Sequence, residues 1–170
     1  MLVIPYNEGE SMTNHANLTQ ETSKAQDLSL ETMCSIVNAL AAAKSKQNIE
    51  EALKVYHPNC VLDSPSFGSK FEGEEQIRKA LVNFFSFAPD YEVDLPHMAA
   101  DGDTLCGWGT VKFTPAFTYA GEKPNGRRIA TPVFILFRFK DHRVSWESFH
   151  FDLADVARQA GVAPDSLRRR

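Results

Sequence analysis

Val133-Phe-Ile-Leu-Phe-Arg-Phe-Lys-Asp-His-Arg-Val-Ser-Trp-Glu-Ser-Phe-His-Phe-Asp152, followed by Leu-Ala-Asp-Val-Ala-Arg-Gln-Ala-Gly161, is the stretch that decides the fold. Apolar and polar residues alternate on both sides of Asp141-His142, which predicts two strands joined by a tight turn. Asp152 then stands where a helix N-cap is required, and Gly161 where that helix would end. Strand, turn, strand and capped helix form a closing unit for a curved sheet.

Upstream, the same period of two predicts strands over 91–98, 104–118 and 127–139, with turns at Asp101-Gly102-Asp103 and over 121–126. Before Tyr91 the period changes to that of a helix. Leu30, Met33, Val37, Leu40 and Ala41 recur at helical spacing behind Ser29, predicting a helix over 30–43. Asn48 and Glu51 form a capping pair for a second helix striped by Ile49, Ala52, Leu53 and Tyr56, which His57-Pro58-Asn59 ends. Cys60 to Ser64 reads as a short strand, Pro65 to Ser69 as a loop, and Gly73 to Phe87 as a third helix. The expected fold class is α+β: a cone-shaped, curved antiparallel sheet wrapped around N-terminal helices and enclosing an apolar pocket. The expected organisation is an N-terminal arm over 1–27, one domain over 28–162 and a C-terminal tail over 163–170, with Met12 a candidate alternative start.

A chain of 170 residues with 43% hydrophobic content suits one domain with one core. Its formal charge of −4 provides no basic surplus for phosphates, which argues against a nucleic-acid partner. Cys34, Cys60 and Cys106 lie far apart without a metal-ligand spacing, and His97 has no ligating neighbour in sequence, so no metal and no cofactor is expected. The apolar start Met-Leu-Val-Ile-Pro-Tyr is too short and too quickly followed by Glu8 and Glu10 for a signal peptide. A cytoplasmic protein without a membrane partner is the expectation.

Tyr56-His-Pro-Asn-Cys-Val-Leu-Asp-Ser-Pro65, Phe71-Glu-Gly-Glu-Glu-Gln-Ile77, Ala88-Pro-Asp-Tyr91 and the segment from Val144 to Gly161 resemble the nuclear transport factor two-like superfamily. SnoaL-like polyketide cyclases, limonene epoxide hydrolase and ketosteroid isomerase are the comparisons within it. The resemblance spans roughly 28–162 and implies a cone-shaped barrel with a deep apolar pocket, commonly a homodimer through the open face of the sheet. The family's catalytic positions fall on unsuitable side chains here. The isomerase's proton-shuttling Asp falls on Ser64, which cannot act as a carboxylate base, and its oxyanion-binding Asp falls on Ile135. The cyclases' Asp and His fall on Phe149 and Ile135. The hydrolase's groups fall on Phe149, Gly109 and Val111.

Parity along the strands places Glu147, Phe149 and Phe151 inward with Thr131, Val133, Ile135 and Phe137, leaving Trp146, Ser148 and His150 on the other face. The expected ligand-binding set is Asn38, Val111, Thr131, Val133, Ile135, Phe137, Phe149 and Phe151. Glu147 and Ser64 are the candidate catalytic groups, since a carboxylate on an apolar wall has its charged form disfavoured. Glu147 is alternatively a partner of Arg138 or Arg143. Three readings stay open. One is a cofactor-independent isomerase, cyclase or hydratase acting on a small apolar, polycyclic or terpenoid-like molecule. The others are a non-catalytic carrier of such a molecule and a protein-interaction module using the sheet face.

Overall fold

The computed structural model describes residues 28–168. The expected N-terminal arm, the question of Met12 and the last two arginines lie outside the described residues. Helix α1 (Leu30–Ser45) starts where the Ser29 hydroxyl accepts the Thr32 N–H. Asn48 accepts the Glu51 N–H to start α2 (Ile49–Val55). Then come β1 (Tyr56–Ser64), β2 (Ser69–Glu72), α3 (Gly73–Phe87), β3 (Glu92–Asp101), β4 (Thr104–Phe113), β5 (Ile129–Lys140), β6 (Arg143–Phe151) and α4 (Leu153–Ala160). A single 3₁₀ turn, Pro164–Leu167, follows.

One sheet runs in the order β2-β1-β6-β5-β4-β3, and its concave face holds the core against α1 and α3. The fold is the expected α+β cone, with one refinement. The sheet is mixed, because β1 lies parallel to β6 while every other neighbouring pair is antiparallel. The burial of β5 alternates strictly, with Ile129, Thr131, Val133, Ile135, Phe137 and Phe139 inside. The turn between β5 and β6 holds Asp141 and His142 at φ 50 and 57°, the left-handed pair that a two-residue hairpin needs.

Several boundaries differ from the sequence reading. Tyr56 opens β1 instead of closing α2, its ring buried against the core. Residues 69–72, of which Ser69 was expected in the loop and the rest were left unassigned, form the edge strand β2 on β1. The strand expected to reach Thr118 stops at Phe113, since Thr114 turns aside to donate its N–H and hydroxyl to Asp90 at 2.6 and 2.8 Å. The expected tail from 163 onward is part of the folded body: Leu167 is fully buried, and Glu122 accepts from the Ala163 N–H and the Ser166 hydroxyl. The Ser166 bond, with the Ala163 N–H, holds the Glu122 carboxyl below its ordinary value.

Pro96 interrupts β3 and forces a bulge, in which Leu95 and Pro96 together face Gly109 of β4. A Cβ on Gly109 would stand 2.0 Å from the Asp94 carbonyl oxygen and 2.7 Å from the proline ring, both backbone-fixed. Gly107, two residues earlier, would meet the flexible Leu95 side chain at 3.3 Å and the Phe137 ring at an ordinary 3.8 Å. Gly109→Ala is therefore expected to lose about 3 kcal/mol in urea unfolding while Gly107→Ala loses about 1 kcal/mol or less. Equal losses would remove the bulge as the reason for this glycine.

Candidate functional site

Glu147 is the inward carboxylate of β6, and it is 1% exposed. A charge so deeply placed must be paired and hydrogen-bonded. Its partner is Lys44, in the last turn of α1, whose Nζ lies 2.6 Å from Oε1 and 2.9 Å from Oε2. The Tyr56 hydroxyl at the start of β1 donates to Oε2 at 2.5 Å. Neither Arg138 nor Arg143, the alternative partners considered from sequence, pairs with it. Arg138 lies on the convex face over the Trp146 ring at 5.0 Å.

Burial first, and then the Glu147 charge, push the Tyr56 phenol well above its ordinary range, so it stays a proton donor to the carboxylate. The same two causes raise Tyr91. Burial, with the Glu147 charge added, pushes the Cys60 thiol up to about 12 against the opposing pull of Lys44, which silences it as a nucleophile.

Lys44 and Glu147 stand in the wall of a cleft of about 60 Å³, whose other walls are mainly aromatic and aliphatic. Phe67, Phe71, Phe84, Tyr91 and Phe149 contribute rings, and Tyr119 reaches in from the segment after β4. Phe84 contacts Tyr91 edge-on at 4.9 Å, and Phe67 contacts Phe151 at 5.0 Å, so the wall is continuous with the core. Ser64 at the end of β1 also lines the cleft, its residue 8% exposed and its hydroxyl without a protein partner. An unpaired buried hydroxyl costs about 1–3 kcal/mol.

Of the residues read from sequence, Ser64, Glu147 and Phe149 line this cleft. Ile135 and Phe137 line a smaller cavity on the other side of Lys44 and Glu147. Val111, Thr131 and Val133 are buried but lie outside the cleft's lining, as does half-buried Phe151. The Thr131 hydroxyl donates to Asp155 and fastens β5 to α4. Asn38 is a correction: it is exposed, because α1 buries Met33, Val37, Leu40, Ala43 and Lys44, and Asn38 is turned about 100° from Val37. Lys44 was missed because the helix was ended at 43. Continuing the stripe, four residues beyond Leu40 and seven beyond Val37, reaches it.

On the convex face Ser148, 2% exposed, hydrogen-bonds to His150 Nε2 at 2.7 Å and donates to Asp63 at 3.4 Å. His97 is exposed there and stacks on Trp108, with ring centroids 5.5 Å apart. Asp152 accepts from the Ala154 and Asp155 N–H groups as the α4 cap. Among the described residues no three His, Cys, Asp or Glu side chains gather as metal ligands, and no helix is long and apolar enough to cross a membrane.

Residues 37–147 match the family model described as a SnoaL-like domain. Among solved structures, a hypothetical protein with a ketosteroid isomerase-like fold from Catenulispora acidiphila, in complex with trimethylamine, superposes with TM-score 0.68 at 18% identity, covering 76% of this chain and 95% of that one. A SnoaL-like polyketide cyclase from Agrobacterium tumefaciens gives TM-score 0.63 at 20% identity, with 75% and 96% covered. TerC, co-crystallized with polyporic acid, gives TM-score 0.65 at 15% identity, covering 76% of this chain and 98% of that one. Identities this low establish the shared fold. No curated protein matches the sequence significantly.

Removing one partner of the buried pair strands the other. Lys44→Met, which leaves the carboxylate with Tyr56 alone, is expected to lose about 3–5 kcal/mol in urea unfolding. Glu147→Gln strands the ammonium and is also destabilising. The double variant Lys44→Met/Glu147→Gln is expected to lose clearly less than the two single losses added. Simple additivity would show that the pair is not coupled.

Proposed function

The chain belongs to the SnoaL-like domain family, and from that premise we propose that it binds a small apolar molecule in the cleft beside Lys44 and Glu147. The observation that carries this reading is a largely aromatic cleft with a few convergent polar groups, Lys44, Ser64 and Glu147. The bound molecule is of polycyclic or terpenoid-like size and shape. The relative co-crystallized with polyporic acid, a ligand-bearing protein of the same fold, supports this choice. Three free cysteines, Cys34, Cys60 and Cys106, agree with work in a reducing, cytoplasmic setting.

Glu147 accepts three hydrogen bonds from Lys44 and Tyr56, which occupy both its oxygens and favour binding over turnover. Cofactor-independent isomerisation, cyclisation or hydration is the second reading. It is favoured by the two proton donors that meet at one buried carboxylate, an arrangement through which a proton could be relayed. Native mass spectrometry of the purified protein, followed by incubation with the extracted molecule, separates the two. Unchanged ligand supports the carrier. Product that forms with the wild type, but not with a folded, ligand-loaded Glu147→Gln protein, supports the enzyme. A protein that purifies empty, and whose melting temperature no apolar compound raises, would sink both.

The convex face supports a homodimer. Trp108 and Phe134, 40% and 41% exposed, are paired across β4 and β5, with His97 stacked beside Trp108 and His150 opposite Phe134. A second copy related by a two-fold axis covers this row with the same row. Phe134→Glu is expected to halve the mass measured by light scattering without lowering the helix signal. A wild-type protein that is monomeric at micromolar concentration contradicts the dimer.

A further inference from the structure

The cleft is smaller than its proposed occupant. A single benzene ring needs an apolar cavity of about 150 Å³, and the cleft holds about 60 Å³. A molecule of two or more rings therefore enters only if a wall moves. Most of the lining belongs to α1, α3, β1 and β6, which pack into the core, but Tyr119 stands on residues 114–128, the strap between β4 and β5 that is neither helix nor strand. Tyr119 also lines an outer groove of about 430 Å³, together with Asn83 and Ser86 of α3, Phe117 and Ala120 of the strap, and Asp165 and Arg168 at the final turn. Its ring is the wall that cleft and groove share.

That wall is held from outside the core. The Tyr119 ring stacks on Phe87 with centroids 6.1 Å apart, Phe117 meets both rings edge-on at 5.7 Å, and Tyr119 is 37% exposed, so it can swing outward without displacing packed side chains. The strap is pinned at two places. The Ala116 N–H donates to the Phe87 carbonyl at 2.8 Å, and Asn125 donates its N–H to Ala160 and its side-chain amide to Gln159, each at 2.9 Å. Between these anchors the tip is latched to the final turn. The Tyr119 N–H donates to the Ser166 carbonyl at 2.9 Å, and Glu122 accepts from the Ser166 hydroxyl and the Ala163 N–H at 2.6 and 3.0 Å. Gly121, between the two latching residues, lies at φ 80°, a region open to glycine without a side-chain penalty. Polar contacts of this kind at the surface open locally far more readily than a core does.

We propose that the strap is a gate: Tyr119 is its door and Glu122 its latch, and opening joins the cleft to the outer groove as one binding site whose outer half is lined by Asn83, Ser86 and Phe117. The ligand is bound with the door displaced, its inner end beside Phe149 and its outer end in the groove. This inference rests on the binding reading given above, and it supplies the room and the entrance that the reading requires.

The probe is N-phenyl-1-naphthylamine, an uncharged three-ring compound whose fluorescence rises on leaving water, mixed with purified protein by stopped flow. Tyr119→Ala and Glu122→Ala, with folding checked by circular dichroism, are expected to take it up about tenfold faster than the wild type, because a larger fraction of molecules stands open. The dissociation rate of Glu122→Ala should match the wild type, since the latch is already undone in the occupied protein. A side chain that merely supports the fold would not split the two rates. Lys123→Ala, an exposed neighbour in the strap, should leave both rates unchanged. Asn83→Trp, which fills the groove from the exposed side of α3, should weaken binding about tenfold. In the wild type, saturating probe should speed hydrogen exchange at the Tyr119 N–H and leave the Ala116 N–H as it was, a readout that needs no variant. Equal association rates in all proteins, or a Tyr119 N–H that exchanges no faster with probe bound, overturn the gate and leave the cleft as a binding site. Wild-type affinity in Asn83→Trp overturns the groove's part in the site. If neither the wild type nor Tyr119→Ala binds the probe, the cleft reading fails and this one with it.

Discussion

A charge cannot be left alone inside a protein, and the pairing of Lys44 with Glu147 is where that constraint organises the molecule. The two residues are separated by 103 positions, and their side chains meet through two contacts of 2.6 and 2.9 Å. To make that meeting, α1 must end over the middle of β6, and β1 must bring Tyr56 to the same carboxylate. Helix position, strand register and the placement of the cleft are therefore tied to a single polar cluster. Around it the core is apolar, so a wrong register would bury a charge without its partner, a penalty of several kcal/mol.

That cluster also decides the chemistry of the cleft. Ile135 and Phe149, where the resemblance in sequence would place acid and base groups, are apolar and face each other across β5 and β6. The polar groups that remain come from different elements, α1, β1 and β6, and are mutually neutralised. The Cys60 thiol nearby, pushed up by burial, adds no nucleophile.

Much of the fold was legible because it is written in periodicity. The alternation in β5 and β6, the caps at Ser29, Asn48 and Asp152, and the Asp141-His142 turn are local signals, and each reads the same way in the structure. What the sequence did not show is non-local. The parallel contact of β1 with β6 joins segments about 85 residues apart, and no short-range pattern encodes it. β2 is four residues long, too short for its alternation to stand out. At the site, Glu147 followed from strand parity and Ser64 from the resemblance around Pro65. Lys44 looked like the polar end of a helix, and Tyr56 looked like part of a helical stripe. Asn38 was placed inward without a periodic reason, and the stripe of α1 turns it to solvent.

The parallel pairing of β1 and β6 has a consequence for how the chain comes into being. β1, β2 and α3 emerge early in synthesis, but the strand that lies between β1 and the rest of the sheet is β6, which emerges almost last. Until then β1 has an open edge, α1 has an unpaired lysine facing what will be the core, and the rings of α3 have no sheet to cover them. Contacts of such long sequence separation form slowly, and exposed edges and apolar faces invite association with other chains in the meantime. The nascent half-protein is thus a sticky intermediate, and the last strand to leave the ribosome is the one that makes it safe.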